Sequence, residues 1–292
     1  MDASGAVILT IWGAGGSAPA AGSQRAVFGG ETVCFGLSRE GDAGGPHLLV
    51  DLGSGAREAG RAIAQAARLS GRPALVEVLL SHLHLDHIMG APFFEPFYRA
   101  DAQVTLHCGL FDDAEAFAAR MKGLIAPPWF PVEPLKMAAA RFAALPVRAP
   151  FEAAGFTVTA VPLHHPGGCM GFRIEGPDWS VAIIGDHEHG RPDTDAAARD
   201  LAQGATVMIY DATYDDAAYR THIGWGHSTW QQGVALARAA GVGATLLHHH
   251  LPEHDDAALA RIDAEVRAAN GAVRLARQGM RLRLSGGRAE RI

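Results

Sequence analysis

One short stretch constrains this chain more than any other. Ser81-His82-Leu83-His84-Leu85-Asp86-His87 places three histidines and a carboxylate within six residues. It follows directly on the apolar run Ala74-Leu75-Val76-Glu77-Val78-Leu79-Leu80, which reads as a buried strand. The cluster therefore sits where a strand ends and the chain turns. If the strand continues to position 84, His82 and His84 share one face, because side chains alternate along a strand. Asp86 and His87 then follow in the turn, within reach of a second nearby point. Imidazole and carboxylate donors suit Zn²⁺ and similar divalent ions. The plainer alternative is a solvated His-rich loop, which an apolar strand rarely feeds at this spacing.

The whole chain can supply a large core, with 48% hydrophobic and 19% charged residues. Lys and Arg number 25 against 31 Asp and Glu, a formal charge of −6. That balance counts against broad binding of a nucleic-acid backbone, and leaves room for one small anionic substrate. Cys34, Cys108 and Cys169 are far apart and odd in number, so they form no full disulfide framework. They read as small buried hydrophobes in a reducing compartment. The run Ala6-Val7-Ile8-Leu9-Thr10-Ile11-Trp12 has no basic segment before it and is too short for a membrane span. It reads as a first strand, and a cytoplasmic location is the default expectation.

Further along, Gly13-Ala14-Gly15-Gly16-Ser17-Ala18-Pro19 lacks the Gly-Lys-Ser/Thr ending of a phosphate loop and precedes no helical pattern. Its glycines instead allow backbone to approach a site closely. Glu31–Leu37 and His47–Asp51 read as strands, and Asp51-Leu52-Gly53-Ser54-Gly55 opens an alanine-rich helix through about Leu69. Asp51 either caps the turn or orients a ligating histidine. A helix is expected to start at Ile88-Met89-Gly90. The segment 110–145, with its prolines, is expected to form a lid or wall, with Trp129 and Phe130 free to stack on substrate or to pack in the core.

The second half repeats the plan. Phe156–Val161 delivers Leu163-His164-His165-Pro166. Gly171–Ile174 and Ser180–Ile184 look like a hairpin pair, the latter ending in Gly185-Asp186. Thr206–Tyr210 ends in Asp211, a helix over about Ser228–Ala240 follows Gly226-His227, and Ala244–Leu247 ends in His248-His249-His250. Several apolar strands thus end in His or Asp with helices between, an α/β pattern. No linker-like composition interrupts it, so residues 1–292 read as one domain of two similar halves.

This order resembles the metallo-β-lactamase fold superfamily, from the Gly13 loop to about Asp256. The resemblance implies an αββα four-layer sandwich, two similar mixed β-sheets packed face to face with helices outside. It also implies two divalent ions, Zn²⁺ first, with Mn²⁺ or Fe²⁺ accepted by the same donors. His82, His84 and His165 would hold one ion; Asp86, His87 and His249 the other; and Asp186 would bridge. His249 is chosen over His248 and His250 by aligning the preceding apolar residues. Leu163-His164-His165-Pro166, Gly185-Asp186, Tyr210-Asp211-Ala212-Thr213 and Gly226-His227-Ser228-Thr229 look most like the branch containing tRNase Z and the cyclic phosphodiesterase of phosphonate breakdown.

In those relatives the histidine matching His227 is a non-ligand group near the phosphate. His227, Asp211 and Asp86 are therefore the candidate catalytic residues, with Asp211 placed to orient a neighbouring His. The short interval between His165 and Asp186 leaves no room for a tRNA-gripping arm, so a small phosphodiester is favoured over nucleic acid. The implied reaction is attack by a hydroxide held between the two metals. A lactonase, thioesterase or β-lactamase-like activity on the same site is the alternative. A homodimer is compatible with this branch, and no membrane partner is expected. One departure stands out: His187-Glu188-His189 follows Asp186 where relatives usually differ. His187, His189 and His254 are expected to be solvated or hydrogen-bonded rather than pocket-lining.

Overall fold

The computed structural model describes residues 5–42, 44–131 and 140–292. One sheet contains β1 (Val7–Gly13), β2 (Cys34–Arg39), β3 (His47–Val50), β4 (Ala74–Leu80), β5 (Ala102–Cys108) and β6 (Ala140–Ala144). The second contains β7 (Pro150–Ala153), β8 (Phe156–Leu163), β9 (Cys169–Glu175), β10 (Ser180–Ile184), β11 (Val207–Asp211), β12 (Ala244–His248) and β13 (Val273–Leu275). The chain then returns to the first sheet as β14 (Arg281–Ser285) and β15 (Arg288–Arg291). The orders are β15-β14-β1-β2-β3-β4-β5-β6 and β13-β12-β11-β10-β9-β8-β7.

Each sheet joins an antiparallel run to a parallel one. In the first, β1 to β3 pair antiparallel and β3 to β6 parallel. In the second, β7 to β10 pair antiparallel and β10 to β13 parallel. Parallel neighbours need crossovers, and helices supply them: α1 (Ala56–Ser70), the single turn α2 (Leu85–Ile88), α3 (Ala114–Leu124), α4 (Pro192–Ala202), α5 (Asp216–Tyr219), α6 (Trp230–Ala239) and α7 (Asp256–Ala269). Such sheets are covered on both faces, and β10 and β11 are accordingly buried along their whole length.

The layers follow from which side chains meet. Leu9, Ile11, Phe35 and Leu37 of the first sheet interdigitate with Val158, Phe172, Ile183 and Ile209 of the second. On the outer face of the first sheet, Ala59, Ile63 and Ala67 of α1 pack on Val76, Val78 and Leu106. On the outer face of the second, Leu201, Val234, Leu259 and Val266 of three helices pack on Ala182, Ile184 and Met208. This is the αββα sandwich expected from sequence. α1 closes on Gly71 at φ 66°, a left-handed position that suits glycine.

Some local expectations fail for identifiable reasons. The strand before the histidine cluster ends at Leu80, as its apolar run reads, and only the conditional extension to position 84 does not occur. Ser81 donates both its backbone N–H and its hydroxyl to Asp51, which draws the chain out of the sheet. The helical turn comes earlier than Ile88, at Leu85–Ile88. β2 begins only at Cys34, because Thr32 is engaged with Ser54 and with the Asp86 carbonyl instead of a ladder. The last part of segment 110–145 is not lid but β6, paired to β5; residues 132–139, including Pro134, lie outside the described residues. Phe130 packs edge-on to Phe93, centroids 5.8 Å apart, while Trp129 stays 81% exposed.

Candidate metal centre

β10, β11 and β12 run parallel, and β8 runs in the same direction as β10 because two antiparallel steps separate them. Their carboxyl ends therefore gather at one edge, where ligands of α/β sheets usually bind. His165 follows β8, Asp186 follows β10, Asp211 ends β11 and His249 follows β12. The turn after β4 faces them, tied across by the Met170 N–H donating to the Ser81 carbonyl. All the sequence-predicted ligands meet here. Donor atoms of His82, His84, His165 and Asp186 lie within 4.8 Å of one another, as do those of Asp86, His87 and His249.

Asp186 lies between the groups. Its Oδ2 is 3.6 Å from the Nε2 of both His82 and His165; its Oδ1 is 3.2 Å from His87 Nε2 and 3.5 Å from His249 Nε2. Asp86 Oδ2 faces His249 Nε2 at 3.3 Å and His87 Nε2 at 3.6 Å. The spacings resemble the roughly 3.3 Å edge of a tetrahedron of donors about 2 Å from a zinc ion. The turn, rather than a shared strand face, brings the His82 and His84 rings to 4.5 Å between centroids.

The surrounding hydrogen bonds fix which nitrogen points inward. His87 Nδ1–H donates to Asp51 at 2.8 Å, and His165 Nδ1–H to the Gly226 carbonyl at 2.7 Å. Ser81 and Thr213 hydroxyls each donate to a carboxylate, Asp51 and Asp211, so their oxygens accept from His82 Nδ1–H and His249 Nδ1–H. Four Nε2 lone pairs are thereby aimed at the centre, as ligating histidines require. His82 Nε2, His87 Nε2 and Asp186 Oδ1 are buried and make no hydrogen bond at all. Such orphaned groups are costly unless something fills the space between them. A divalent cation fits that space and that donor set.

Charge agrees with this. Burial and the neighbouring His87 push His82 down to about 2, which keeps it neutral and able to ligate. Burial likewise lowers His165. Burial opposes ionisation of Asp186, yet its neighbours His249 and His87 hold its carboxyl well below the usual range. Against burial, Asp186 and Asp51 in turn push His87 up, and a bound cation would displace the proton this favours. Asp51 takes its second role, orienting His87, and not merely a turn. Asp51 and His249 both adopt left-handed backbone, φ 61° and 66°, a strain of about 1 kcal/mol or more each that the tethered side chains sustain.

Beside the donors stands His227. Its Nδ1 lies 2.9 Å from Asp211 Oδ2, and its ring stacks on His249 at 4.5 Å and meets His165 edge-on at 5.2 Å. Burial works against its charge, but the fully buried Asp211 carboxylate outweighs it and pushes His227 up to about 9. Asp211 is itself held down to about 2: burial opposes this, and the His227 charge and hydrogen bond prevail.

The glycine loop does approach closely. Ser17 N–H donates to Asp86 Oδ2 at 2.8 Å, and a Cβ on Gly16 would fall 2.1 Å from the His249 ring. Gly226, at φ 87°, has no room for a side chain either, with His165 Nδ1 2.3 Å away from where a Cβ would be. Sequence reasoning gave no part to Ser81, Thr213 or the Gly226 carbonyl. Their roles rest on long-range hydrogen bonds without a local signature. His187 bonds Asp195 and His189 bonds Ser228, hydrogen-bonded as expected. His248 and His250 are buried away from the donors, His248 against Phe35 and His250 on the Ala276 carbonyl.

Comparisons with known proteins fit this geometry. A family model described as "Beta-lactamase superfamily domain" matches residues 47–250. The chain is 27% identical over 264 residues to Ribonuclease BN of Escherichia coli O6:K15:H31 (strain 536 / UPEC), covering 69% of this chain and 79% of that protein. The metallo-β-lactamase fold protein YhfI from Bacillus subtilis superposes with a TM-score of 0.69 at 21% identity, covering 96% of this chain and 100% of that one. A diphosphatase from the PhnP family superposes at 0.64 and 16% identity, covering 96% and 97%. No helix among the described residues is long and apolar enough to cross a membrane.

Proposed function

This chain belongs to the beta-lactamase superfamily and has the metallo-β-lactamase fold, and we propose that it is a hydrolase that cleaves a small phosphodiester, such as a cyclic nucleotide or a cyclic sugar phosphate. In this reading His82, His84 and His165 would hold one divalent ion and Asp86, His87 and His249 a second, with Asp186 shared between them. Such ions, Zn²⁺ or alternatively Mn²⁺ or Fe²⁺, supply Lewis-acid charge and acidify water when bound.

The observation that carries the phosphodiester reading is His227. Asp211, 2.9 Å away, favours its protonated form and holds it against the donor cluster, next to Asp186 and His249 but outside the two ligand trios assigned above. Asp211 Oδ2 accepts a hydrogen bond from His227 Nδ1–H and so fixes the ring's orientation and favours its charge. Thr213 links the same carboxylate to His249. The protonated His227 offers its other N–H to a phosphoryl oxygen or to the leaving oxygen, which is what cleavage at phosphorus needs.

A second reading, an RNA phosphodiester, is favoured by the 27% identity to Ribonuclease BN. The net charge of −6 weighs against it, and the short His165–Asp186 interval contains only the β9–β10 hairpin. Metal analysis coupled to a substrate panel tests both readings. Turnover of bis-p-nitrophenyl phosphate and cyclic nucleotides is expected, with less on an RNA oligonucleotide. Turnover of a chromogenic lactam, lactone or thioester alone would overturn the proposal in favour of C–N, C–O or C–S hydrolysis.

A further inference from the structure

The tripeptide after Asp186 has a use that the ligand assignments leave open. Glu188 is a carboxylate only 3% exposed, and its partners are dipoles of a single loop. Oε1 accepts the Gly224 N–H at 2.7 Å and the Tyr219 hydroxyl at 3.0 Å; Oε2 accepts the Gly226 N–H at 2.7 Å. Its own backbone is fixed in turn, with the Glu188 N–H donating to the His164 carbonyl at 2.8 Å and His164 Nδ1 bonding the Glu188 carbonyl at 3.1 Å. The rest of the loop is held mostly by its own turn, with the Thr221, His222 and Trp225 N–H groups donating to the Ala218, Tyr219 and His222 carbonyls, and by the His222 ring stacked on Tyr214 at 4.5 Å. It carries glycines at φ 88° and 87° and exposes Ile223 and Trp225, 67% and 61%.

That loop ends in the two groups the site depends on. The Gly226 carbonyl receives the His165 Nδ1–H, and the next residue is His227. Neighbours of Glu188 reach the same place: the His187 N–H donates to Asp211 Oδ2 at 3.2 Å, and His189 bonds Ser228. We propose that Glu188 is a positioning residue, whose two carboxylate oxygens hold the 219–226 loop so that Gly226 orients His165 and His227 stays against Asp211. The inference rests on the role given to His227 above.

Glu188→Gln tests it. The amide keeps the shape but turns one acceptor into a donor facing a backbone N–H, so the grip fails on one side. With metal-saturated full-length protein and bis-p-nitrophenyl phosphate, kcat is expected to fall about 10–100-fold, as for other partners that orient active groups. In a His227→Ala background the same change is expected to cost much less, because His227 is gone and saturating metal keeps His165 ligated despite a looser Gly226. Trypsin cleavage after Arg220, an exposed residue in the loop, is expected to accelerate selectively over the other Arg and Lys sites. Losses that multiply fully in the double variant, or cleavage that rises equally at all sites, would overturn the proposal. Should the Gln variant not fold, Tyr219→Phe removes one of the three bonds, and the same cycle and digestion apply to it with a smaller expected loss. A His227→Ala protein as active as the parent would sink the functional reading instead, and the Arg220 digestion would still decide whether Glu188 grips the loop.

Discussion

Between His82 and His87 the first sheet delivers four donors from a single turn, whereas the second delivers His165, Asp186 and His249 from three separate strand ends. The first arrangement is local: one Asp51–Ser81–His87 hydrogen-bond knot sets the turn and most of the ring orientations. The second is collective. Each donor there depends on the register of a different strand and on a partner from another segment, such as Gly226 for His165 or Thr213 for His249. Asp186 touches both, so the two arrangements meet in one carboxylate. A compact motif thus tolerates little change within itself, while a dispersed one can be disturbed from several distant places.

The largest expected effect comes from the shared group. Asp186→Ala should empty both ion positions and abolish turnover, read by metal stoichiometry and by the phosphodiester assay together. Retention of one full equivalent of metal would break the idea that this carboxylate joins the two trios. Next in size, His84→Ala and His249→Ala should each strip metal from its own side first, the former losing one equivalent while the latter loses the other. Identical loss from both variants would mean that the halves do not act as separate sites.

His227→Ala should leave metal content intact and lower kcat by about 10²–10⁴-fold, the usual range for a positioned acid. A normal rate would remove His227 from the chemistry. Asp51→Asn should weaken metal binding by about 10–100-fold, because His87 loses the partner that fixes its tautomer. A titration with a competing chelator measures that, and an unchanged affinity would reduce Asp51 to a turn residue.

The smallest effect concerns stability. Burial pulls His248 down to about 3 and His250 down to about 4. Their unfolded values are near 6.5, so the unfolded chain binds more protons in between. The stability these neutral rings contribute is complete above about 6.5 and falls with pH toward those lower values, by at most roughly 1.4 kcal/mol per pH unit for each group. Both His248 ring nitrogens lack a hydrogen-bond partner, so His248→Leu should flatten the acid limb of a plot of Tm against pH without lowering Tm at neutral pH. A limb of unchanged steepness would show that His248 does not titrate on unfolding.

Much of the site was legible because strand ends announce themselves. Apolar runs that stop in His or Asp mark both a chain reversal and a candidate donor, and the family resemblance then singled out His165, Asp186 and His249 beside the first cluster. Alternation and helix periodicity likewise set out most of the elements. Boundaries were less legible. β2 starts at Cys34 and not at Glu31 because Thr32 bonds Ser54 and the Asp86 carbonyl, which are far off in sequence. β6 was hidden because an edge strand that is only half-buried has no strong apolar pattern.

By itself, then, the chain's sequence determined which side chains could ligate and roughly where the backbone would turn, since both follow from residue type and local hydrophobic pattern. Only the tertiary structure decided which ring nitrogen each histidine turns inward, what holds His249 beside the donors, and that Asp51 serves His87. Those choices depend on hydrogen bonds between segments dozens of residues apart, such as His249 to Thr213 and Glu188 to Gly226. Contacts of that kind leave no periodic trace in a sequence, because the fold rather than the neighbouring residues brings the partners together.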